Sequence, residues 1–166
     1  SSAGVTTVYD AGMSSFEAQA LEAVAEMDRQ GSLRFRVVAS HQIQHPDQVP
    51  TAIDRFTELR RLYDGDRLHV GMIKIHNDGT TEAHTAAYLE PYTDLPGQSG
   101  AVLLEPSVLN PFVVAVDRAG IDLHIHALGD RAVRQALDAI ELARNGNPGA
   151  DTRHTLAHVE QITDAD

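Results

Sequence analysis

The sequence predicts an α/β fold in which parallel strands alternate with helices. Along the 166-residue chain, short segments rich in β-branched residues alternate with segments whose apolar residues recur at helical period. Each unit is about thirty residues long, enough for a strand and the helix that crosses over to the next strand. No hairpin signal joins two of the strand-like segments. We therefore expect successive βα units with a parallel sheet, in a single domain that covers residues 1–166.

Five elements are predicted in the first half of the chain. In order, they are a strand at 5–9, a helix between Ser14 and Gly31, a strand at 33–39, a helix at 51–63 and a strand at 68–76. Ser14 and Glu17 have the spacing of a capping box, which begins the first helix, and Gly31 ends it. Pro46 and Pro50 precede the second helix, where apolar residues return at helical period.

A long irregular segment opens the second half. In order, the predicted elements are a loop at 78–104, a helix at 105–119, a strand at 121–126, a helix at 130–144 and a strand at 152–158. The loop is rich in turn residues such as Pro96-Gly97, and loops of this length are usually functional. Gly120 ends one helix and Asn145-Gly146 ends the next, because these residues adopt helix-terminating conformations easily.

Composition excludes several classes of partner and site. The formal net charge of −11 argues against a nucleic acid or an anionic membrane as partner, because both would be repelled. The chain contains no cysteine, so a disulfide, a thiolate nucleophile and a zinc–thiolate site are excluded. Any metal ion must be held by carboxylates, by some of the nine histidines or by a modified lysine.

The ends of the chain and its apolar segments bear on localisation. No apolar run is long enough to cross a membrane, and the first residues lack an initiator Met and a signal-peptide pattern. The last residues, from Thr163 to Asp166, resemble the start of another helix. We expect a cytoplasmic protein of which this chain is an internal piece, with targeting signals that lie elsewhere.

Polar residues at the ends of the predicted strands are the candidates for chemistry, because α/β sheets bind ligands beyond the carboxyl ends of their strands. They are Asp10, His41, Lys74, His76, His124, His126 and His158. Imidazole and anionic oxygen are suitable ligands for a divalent cation. A protonated lysine is not a ligand, so Lys74 either becomes a carbamate or pairs with a carboxylate such as Asp78. His124 and His126 share one face of a strand, but such a pair is equally typical of structural histidines.

Four blocks of the sequence resemble the amidohydrolase superfamily, in the branch of N-substituted formamide deformylase-like hydrolases. They are residues 4–12, residues 73–79 continuing to 85–87 and 90–92, residues 126–133, and residues 153–158. The blocks cover nearly the whole chain in the family's order. The resemblance implies a (β/α)8 barrel, of which this chain contains about five units, from the second to the sixth strand.

The resemblance also implies roles for individual residues. Lys74 matches the lysine of the fourth strand, which is carboxylated in many relatives, and His126 and His158 match the metal-binding histidines of the fifth and sixth strands. The other candidates would contact substrate or support these ligands: His76, Asp78, His84, His124, Asp130 and Arg131. Asp130 and Arg131 belong to the family signature, whereas His84 stands where relatives often carry arginine.

The implied activity is hydrolysis of carbon–nitrogen bonds in small, amide-like molecules that are not peptides. One or two divalent ions, expected to be zinc, would activate water for attack on the substrate carbonyl. The family's first-strand His-x-His pair and its eighth-strand aspartate, the general base, have no counterpart in these 166 residues. We therefore expect the isolated chain to be inactive and to bind metal weakly.

Two alternatives remain. The chain could be a non-catalytic α/β module that self-associates, since part of a barrel leaves two sheet edges and an apolar face exposed, and the expected product is a homodimer. The other alternative is a phosphate-binding α/β protein. That function requires a glycine-rich loop before a helix, and the corresponding turn contains the single glycine Gly129.

Overall fold

A computed structural model describes residues 2–13 and 15–166. The strands are β1 (Thr7–Tyr9), β2 (Arg36–Ile43), β3 (Leu68–His76), β4 (Asp122–Ala127) and β5 (Thr155–His158). The helices are α1 (Glu17–Arg29), α2 (Ala52–Tyr63), α3 (Pro106–Arg118) and α4 (Asp130–Gly146), and a 3-10 helix covers Pro46–Thr51. The five strands form a parallel sheet in the order β1-β2-β3-β4-β5, which confirms the predicted α/β fold class.

The chain divides into two compact units. The first contains Ser1–Ile43 and Gln48–Lys74, and the second contains Gln44–Asp47 and Ile75–Asp166. The single domain expected from the sequence remains a prediction. None of the described helices combines the length and the apolar character that spanning a bilayer requires.

In the first unit, β2 differs from its prediction. It runs from Arg36 to Ile43, three residues beyond the predicted start and four beyond the predicted end. His41 was expected in a loop, but it lies inside the strand and is 6% exposed. Its Nδ1 atom is 2.7 Å from the carboxylate of Glu17 at the start of α1. Tertiary contacts with α1 therefore bury a segment whose polar residues resemble a loop.

The start of α1 also differs from the expected capping box. Ser14 lies outside the described residues, and the residue at the N-cap position is Phe16, which makes no side-chain cap hydrogen bond. Glu17 contacts His41 and lies 3.4 Å from the guanidinium of Arg55 on α2. The carboxylate of Glu17 thus connects β2 with both helices of the first unit.

In the second unit, no helix or strand occurs between β3 and α3, which agrees with the predicted loop. We call residues 77–105 the long loop. Helix α4 packs against α3, and α4 buries a stripe of small residues at helical spacing. These residues are Ala132, Val133, Ala136, Ala139 and Ala143. The stripe and the strand end beneath it fix where the first turn of α4 lies.

A buried polar cluster forms where α3, α4 and the start of β5 meet. The carboxylate of Asp117 accepts hydrogen bonds from Thr152 and Asn147, contacts Arg144 and lies 3.0 Å from Nε2 of His154. Burial acts to raise the pKa of Asp117, but these hydrogen bonds outweigh it and hold the pKa below its usual value. Burial lowers the pKa of His154. These contacts explain why β5 begins at Thr155, three residues later than predicted.

Candidate metal and substrate site

Two of the predicted metal ligands are neighbours at the ends of β4 and β5. The ring centroids of His126 and His158 are 4.6 Å apart, at an angle of 65°. The register pairs His158 with Ala127 rather than with His126, so simple strand alternation would place the two histidines on opposite faces. His158 has a left-handed backbone (φ 78°), which breaks the alternation at the end of the strand.

The backbone leaves β5 in an unusual conformation. Val159 follows His158 with φ 48°, which is rare for a β-branched residue because its Cβ crowds the backbone. The amide of Val159 donates to the carbonyl of Ala127, and its side chain packs among the apolar residues beside Ala127. Strain of this kind persists where surrounding contacts hold it, and it is concentrated at functional sites.

The ring of His126 is held by the segment that follows β3. Its Nε2 atom is 2.9 Å from the carbonyl oxygen of Gly79 and 3.5 Å from the carboxylate of Asp78. A carbonyl oxygen can only accept, so Nε2 carries the proton and a neutral ring has its lone pair on Nδ1. The exposed ring of His76 lies 4.8 Å from that of His126. Three imidazoles are thus adjacent at the ends of these strands.

Asp78 fastens three backbone segments together. Its side chain is completely buried, and it accepts hydrogen bonds from the amides of Ala87, Leu128 and Gly129. The amides of Leu128 and Gly129 belong to the turn between β4 and α4, whereas Ala87 belongs to the long loop. A carboxylate with this many donors is an anchoring group, and it lies beside the nitrogen that orients His126.

Lys74 is placed in the first unit, at the carboxyl-terminal part of β3. It is 1% exposed, and burial lowers its pKa to about 8. A lowered pKa leaves a larger fraction of the amine unprotonated near neutral pH. An unprotonated amine is the form that reacts with carbon dioxide to give a carbamate.

The remaining predicted residues belong to the second unit. Asp130 accepts a hydrogen bond from the amide of Leu89, and Arg131 donates to the carbonyls of Ser99 and Gly100. His84 lies within the long loop, 3.0 Å from the carboxylate of Asp94. His124 is half-buried on the face of β4 that also carries His126, as the sequence predicted.

Two cavities border the long loop in the second unit. One, of about 650 Å³, is lined by His76, by Asp78 and by residues 97–103. The second, of about 610 Å³, is lined by Tyr88, Tyr92, Asp130 and acidic side chains of the loop. His84 lines both. The first cavity is lined by His76, whose ring lies 4.8 Å from that of His126, so it is the better candidate for substrate.

The donors present fit part of a metal site. His126 and His158 are the neutral nitrogen donors that zinc and similar ions accept. Within residues 2–13 and 15–166, no three His, Cys, Asp or Glu side chains converge in a manner that could hold an ion. His126 and His158 are therefore the candidate donors, and the described residues supply no complete set of ligands beside them.

Some residues of this site were not identified from the sequence. The backbone carbonyl of Gly79 orients His126, and the backbone of Ala87 is bound by both Asp78 and the start of α4. Main-chain groups carry no residue-type signal, so the sequence pattern could not reveal them. Asp117 did carry a signal, because it interrupts the apolar face of α3 beside Val113 and Val116.

Comparison with known proteins finds relatives that are similar to this chain over part of their length. It is 31% identical over 113 residues to the protein YtcJ of Bacillus subtilis (strain 168), covering 68% of this chain and 20% of YtcJ. It is 32% identical over 95 residues to Protein LONG AFTER FAR-RED 3 of Arabidopsis thaliana, covering 57% of this chain and 16% of that protein. The chain thus spans a small part of the relatives it matches.

The structural comparison agrees with the predicted architecture. The fold matches the crystal structure of an uncharacterized metal-dependent hydrolase from Pyrococcus furiosus, with a TM-score of 0.69 and 29% identity. The match covers 96% of this chain and 30% of that one, which confirms the partial barrel predicted from the sequence. The sequence model of the amidohydrolase family matches residues 1–166. The chain therefore belongs to the amidohydrolase family.

Proposed function

We propose that this chain forms part of a metal-dependent hydrolase that cleaves carbon–nitrogen bonds in small, non-peptide amides. The observation that carries the proposal is the contact between His126 and His158 at the ends of adjacent parallel strands. In that position the carboxyl ends of the strands present both rings to one region. Membership of the amidohydrolase family and the likeness to a metal-dependent hydrolase support the same function.

A divalent cation, for which we propose zinc, would supply an activated water and polarise the substrate carbonyl when bound. His126 and His158 would hold the ion through neutral nitrogens, with Lys74 as a further ligand after carboxylation. The Gly79 carbonyl keeps the proton on Nε2 of His126, so Nδ1 is the nitrogen able to bind metal. Asp78 holds the backbone on both sides of this ring.

The substrate would enter the cavity beside His76 and Asp78. Its volume of about 650 Å³ suits a small molecule rather than a protein segment. Within the family we propose N-formyl and N-acyl amides as substrates, following the resemblance of four sequence blocks to formamide deformylase-like hydrolases. The proton acceptor for the reaction would come from elsewhere in a full-length protein that contains this chain.

We also propose that the 166-residue chain alone is inactive. The described histidines supply two ligands, and no cluster of three His, Cys, Asp or Glu side chains occurs among the described residues. A site with too few ligands binds metal weakly and leaves the ion poorly oriented.

Metal titration tests the ligand assignment. Cobalt(II) is added to the purified chain and its binding is followed by visible absorption. The affinity for cobalt should be at least about tenfold weaker in His126→Gln and in His158→Gln than in the unchanged chain. His69→Gln is a matched control, because His69 lies on the exposed start of β3. Equal affinity in all four proteins would refute the assignment.

Two measurements test the remaining parts. A carbamate on Lys74 should give a new carbonyl signal in NMR spectra with 13C-bicarbonate, and this signal should be absent in Lys74→Arg. A full-length protein that contains this chain should hydrolyse N-formyl or N-acyl amines and lose activity with a chelator. Turnover by the 166-residue chain itself would disprove the proposed inactivity.

Self-association is a second candidate property, supported by exposed apolar residues around the edge strand β1. Tyr9 and Phe16 are 66% and 65% exposed, and Val5 and Met13 are each 43% exposed. An apolar surface beside an edge strand favours pairing with a second copy. We propose a homodimer, to be tested by light scattering after size-exclusion chromatography. Tyr9→Lys should shift the chain to monomer, and a monomer at all concentrations would contradict the proposal.

A further inference from the structure

The outgoing arm of the long loop is fastened to the turn between β4 and α4. The amide of Ala87 donates to Asp78, and the carbonyl of Ala87 accepts from the amides of Arg131 and Ala132. The amide of Leu89 donates to the carboxylate of Asp130, at 2.8 Å. Residues 87–89 are therefore bound through main-chain groups to the first turn of α4.

The returning arm of the loop is bound by the side chain of Arg131. Its Nη2 atom is 2.8 Å from the carbonyl oxygen of Gly100 and 3.4 Å from that of Ser99. The carbonyl of Ser99 also accepts from the amide of Tyr88, so the two arms meet at the guanidinium. Gly100 permits this approach, because a Cβ there would lie 1.9 Å from the carbonyl oxygen of Ala86.

The contacts of Arg131 lie in one part of the lining of the candidate substrate cavity, residues 97–103, which we call the wall. Residues 97–103 contribute to the lining of the cavity together with His76 and Asp78. The wall is tied at its ends by the bond from the Tyr92 amide to the Gln98 carbonyl and by the bond from the Leu103 amide to the Asn77 carbonyl. Ser99 and Gly100 lie between these two ties, where Arg131 makes its contacts.

We propose that Arg131 is a positioning residue that fixes the 97–103 wall and thereby sets the shape of the cavity. Both contacts come from Nη2, and arginine suits this role better than lysine because the planar guanidinium fixes the direction of the N–H groups of this nitrogen. The link to substrate choice rests on the proposed function. The link to the wall rests on the contacts alone and predicts behaviour that can be measured without turnover.

Hydrogen–deuterium exchange on the 166-residue chain tests the link to the wall. Arg131→Ala should speed exchange at the amides of Tyr88, Tyr92 and Leu103 by about tenfold, the effect of losing one or two hydrogen bonds. Amides within α3 should keep their rates. Arg134→Ala is the matched control, because Arg134 lies on the same helix and its partners Asp138 and Asp166 lie outside the wall.

Chemical rescue by guanidinium distinguishes a positioning role of Arg131 from a general destabilisation of the fold. Millimolar guanidinium should restore protection of the wall in Arg131→Ala and have no effect on Arg134→Ala, and Arg131→Lys should show an intermediate rate. Should Arg131→Ala unfold, the wall amides of Arg131→Lys decide the question. Unchanged wall amides, or a uniform rise throughout the chain without rescue, would overturn the proposal.

The last experiment tests the link between Arg131 and substrate choice. In a full-length protein that contains this chain, Arg131→Lys should raise KM for bulky amides at least about fivefold more than for N-formyl amides, with kcat changed less. A changed wall with no difference between substrates would overturn the link to substrate choice. A changed wall in a protein that hydrolyses no amide would instead contradict the proposed function and leave the link to the wall in place.

Discussion

Replacing Asp78 tests whether the contacts of its carboxylate hold the second unit together. In Asp78→Ala, the buried amides of Ala87, Leu128 and Gly129 lose their acceptor. Leaving a buried donor unsatisfied costs about 1–3 kcal/mol. Three such losses, reduced by partial relaxation, should lower the free energy of unfolding by about 3–6 kcal/mol, which is a large part of the stability of an ordinary domain.

Asp78→Asn should be the milder change. One amide oxygen can still accept from Ala87 and Gly129, at the position where the carboxylate oxygen lies 2.9 and 3.0 Å from their nitrogens. The new NH2 group then faces the amide of Leu128, and two donors repel each other. We expect the free energy of unfolding to fall by about 2–3 kcal/mol. The charge-assisted hydrogen bond from Leu128 is lost, and its amide faces a donor instead of an acceptor.

Urea unfolding of the 166-residue chain, followed by circular dichroism, measures these differences. Asp138→Ala is the control, because Asp138 has a side chain that is 53% exposed and its ion-pair partner among the described residues is Arg134 on its own helix. That substitution should change the free energy of unfolding by less than about 0.5 kcal/mol. The reasoning is refuted if Asp78→Ala costs less than about 1 kcal/mol, or if the asparagine variant is the less stable of the two.

The remaining predictions concern the strand end, the buried cluster and a close contact. His158→Asn should raise the free energy of unfolding, measured in urea, by about 0.5–1 kcal/mol, because asparagine tolerates positive φ better than histidine. The same substitution should weaken cobalt binding. A less stable variant would argue against strain at this residue. The pKa values of His154 and Asp117 are both lowered in the folded state, so the unfolded chain binds protons first as the pH falls. The stability that these two groups contribute should therefore be complete above about pH 6.5 and decline below it, and His154→Asn should flatten this decline between about pH 6.5 and pH 5, as urea midpoints at several pH values would show. Gly129→Ala places a Cβ 2.1 Å from the carbonyl oxygen of Ala87 and should cost about 1–3 kcal/mol, whereas Gly149→Ala meets open space and should change the melting temperature little.

Elements with a strong local pattern were predicted closely. Strand β3 has the predicted bounds, Leu68 to His76, because a nearly continuous apolar run lies between turn residues. Helix α4 begins at Asp130, where the glycine-containing turn and the amphipathic pattern meet. The prediction that His126 and His158 lie at strand ends followed from the predicted strands at 121–126 and 152–158 and from the family resemblance.

Features that depend on distant contacts were not predictable from the sequence. The end of β2 carries Ser40 and His41, which resemble loop residues until Asp10 and Glu17 supply their partners. The left-handed backbone of His158 has no residue-type signal, because histidine ordinarily adopts negative φ. The local sequence thus reports burial and turns, whereas the orientation of the His158 side chain is set by the chain that leaves the strand.

Gly129 approaches Ala87 closely, and Gly100 approaches Ala86 closely. We call the part of the long loop at these contacts the base and residues 93–97 the crest. At both glycines any larger side chain would meet a backbone carbonyl, so the base admits little change in sequence or length. Residues 93–97 are exposed or half-exposed, and Gly97 has open space around it. Insertions and deletions are therefore best accommodated in the crest. Under the proposed function, changes in crest length would change which substrates are accepted, while the strands that carry His126 and His158 would keep their positions.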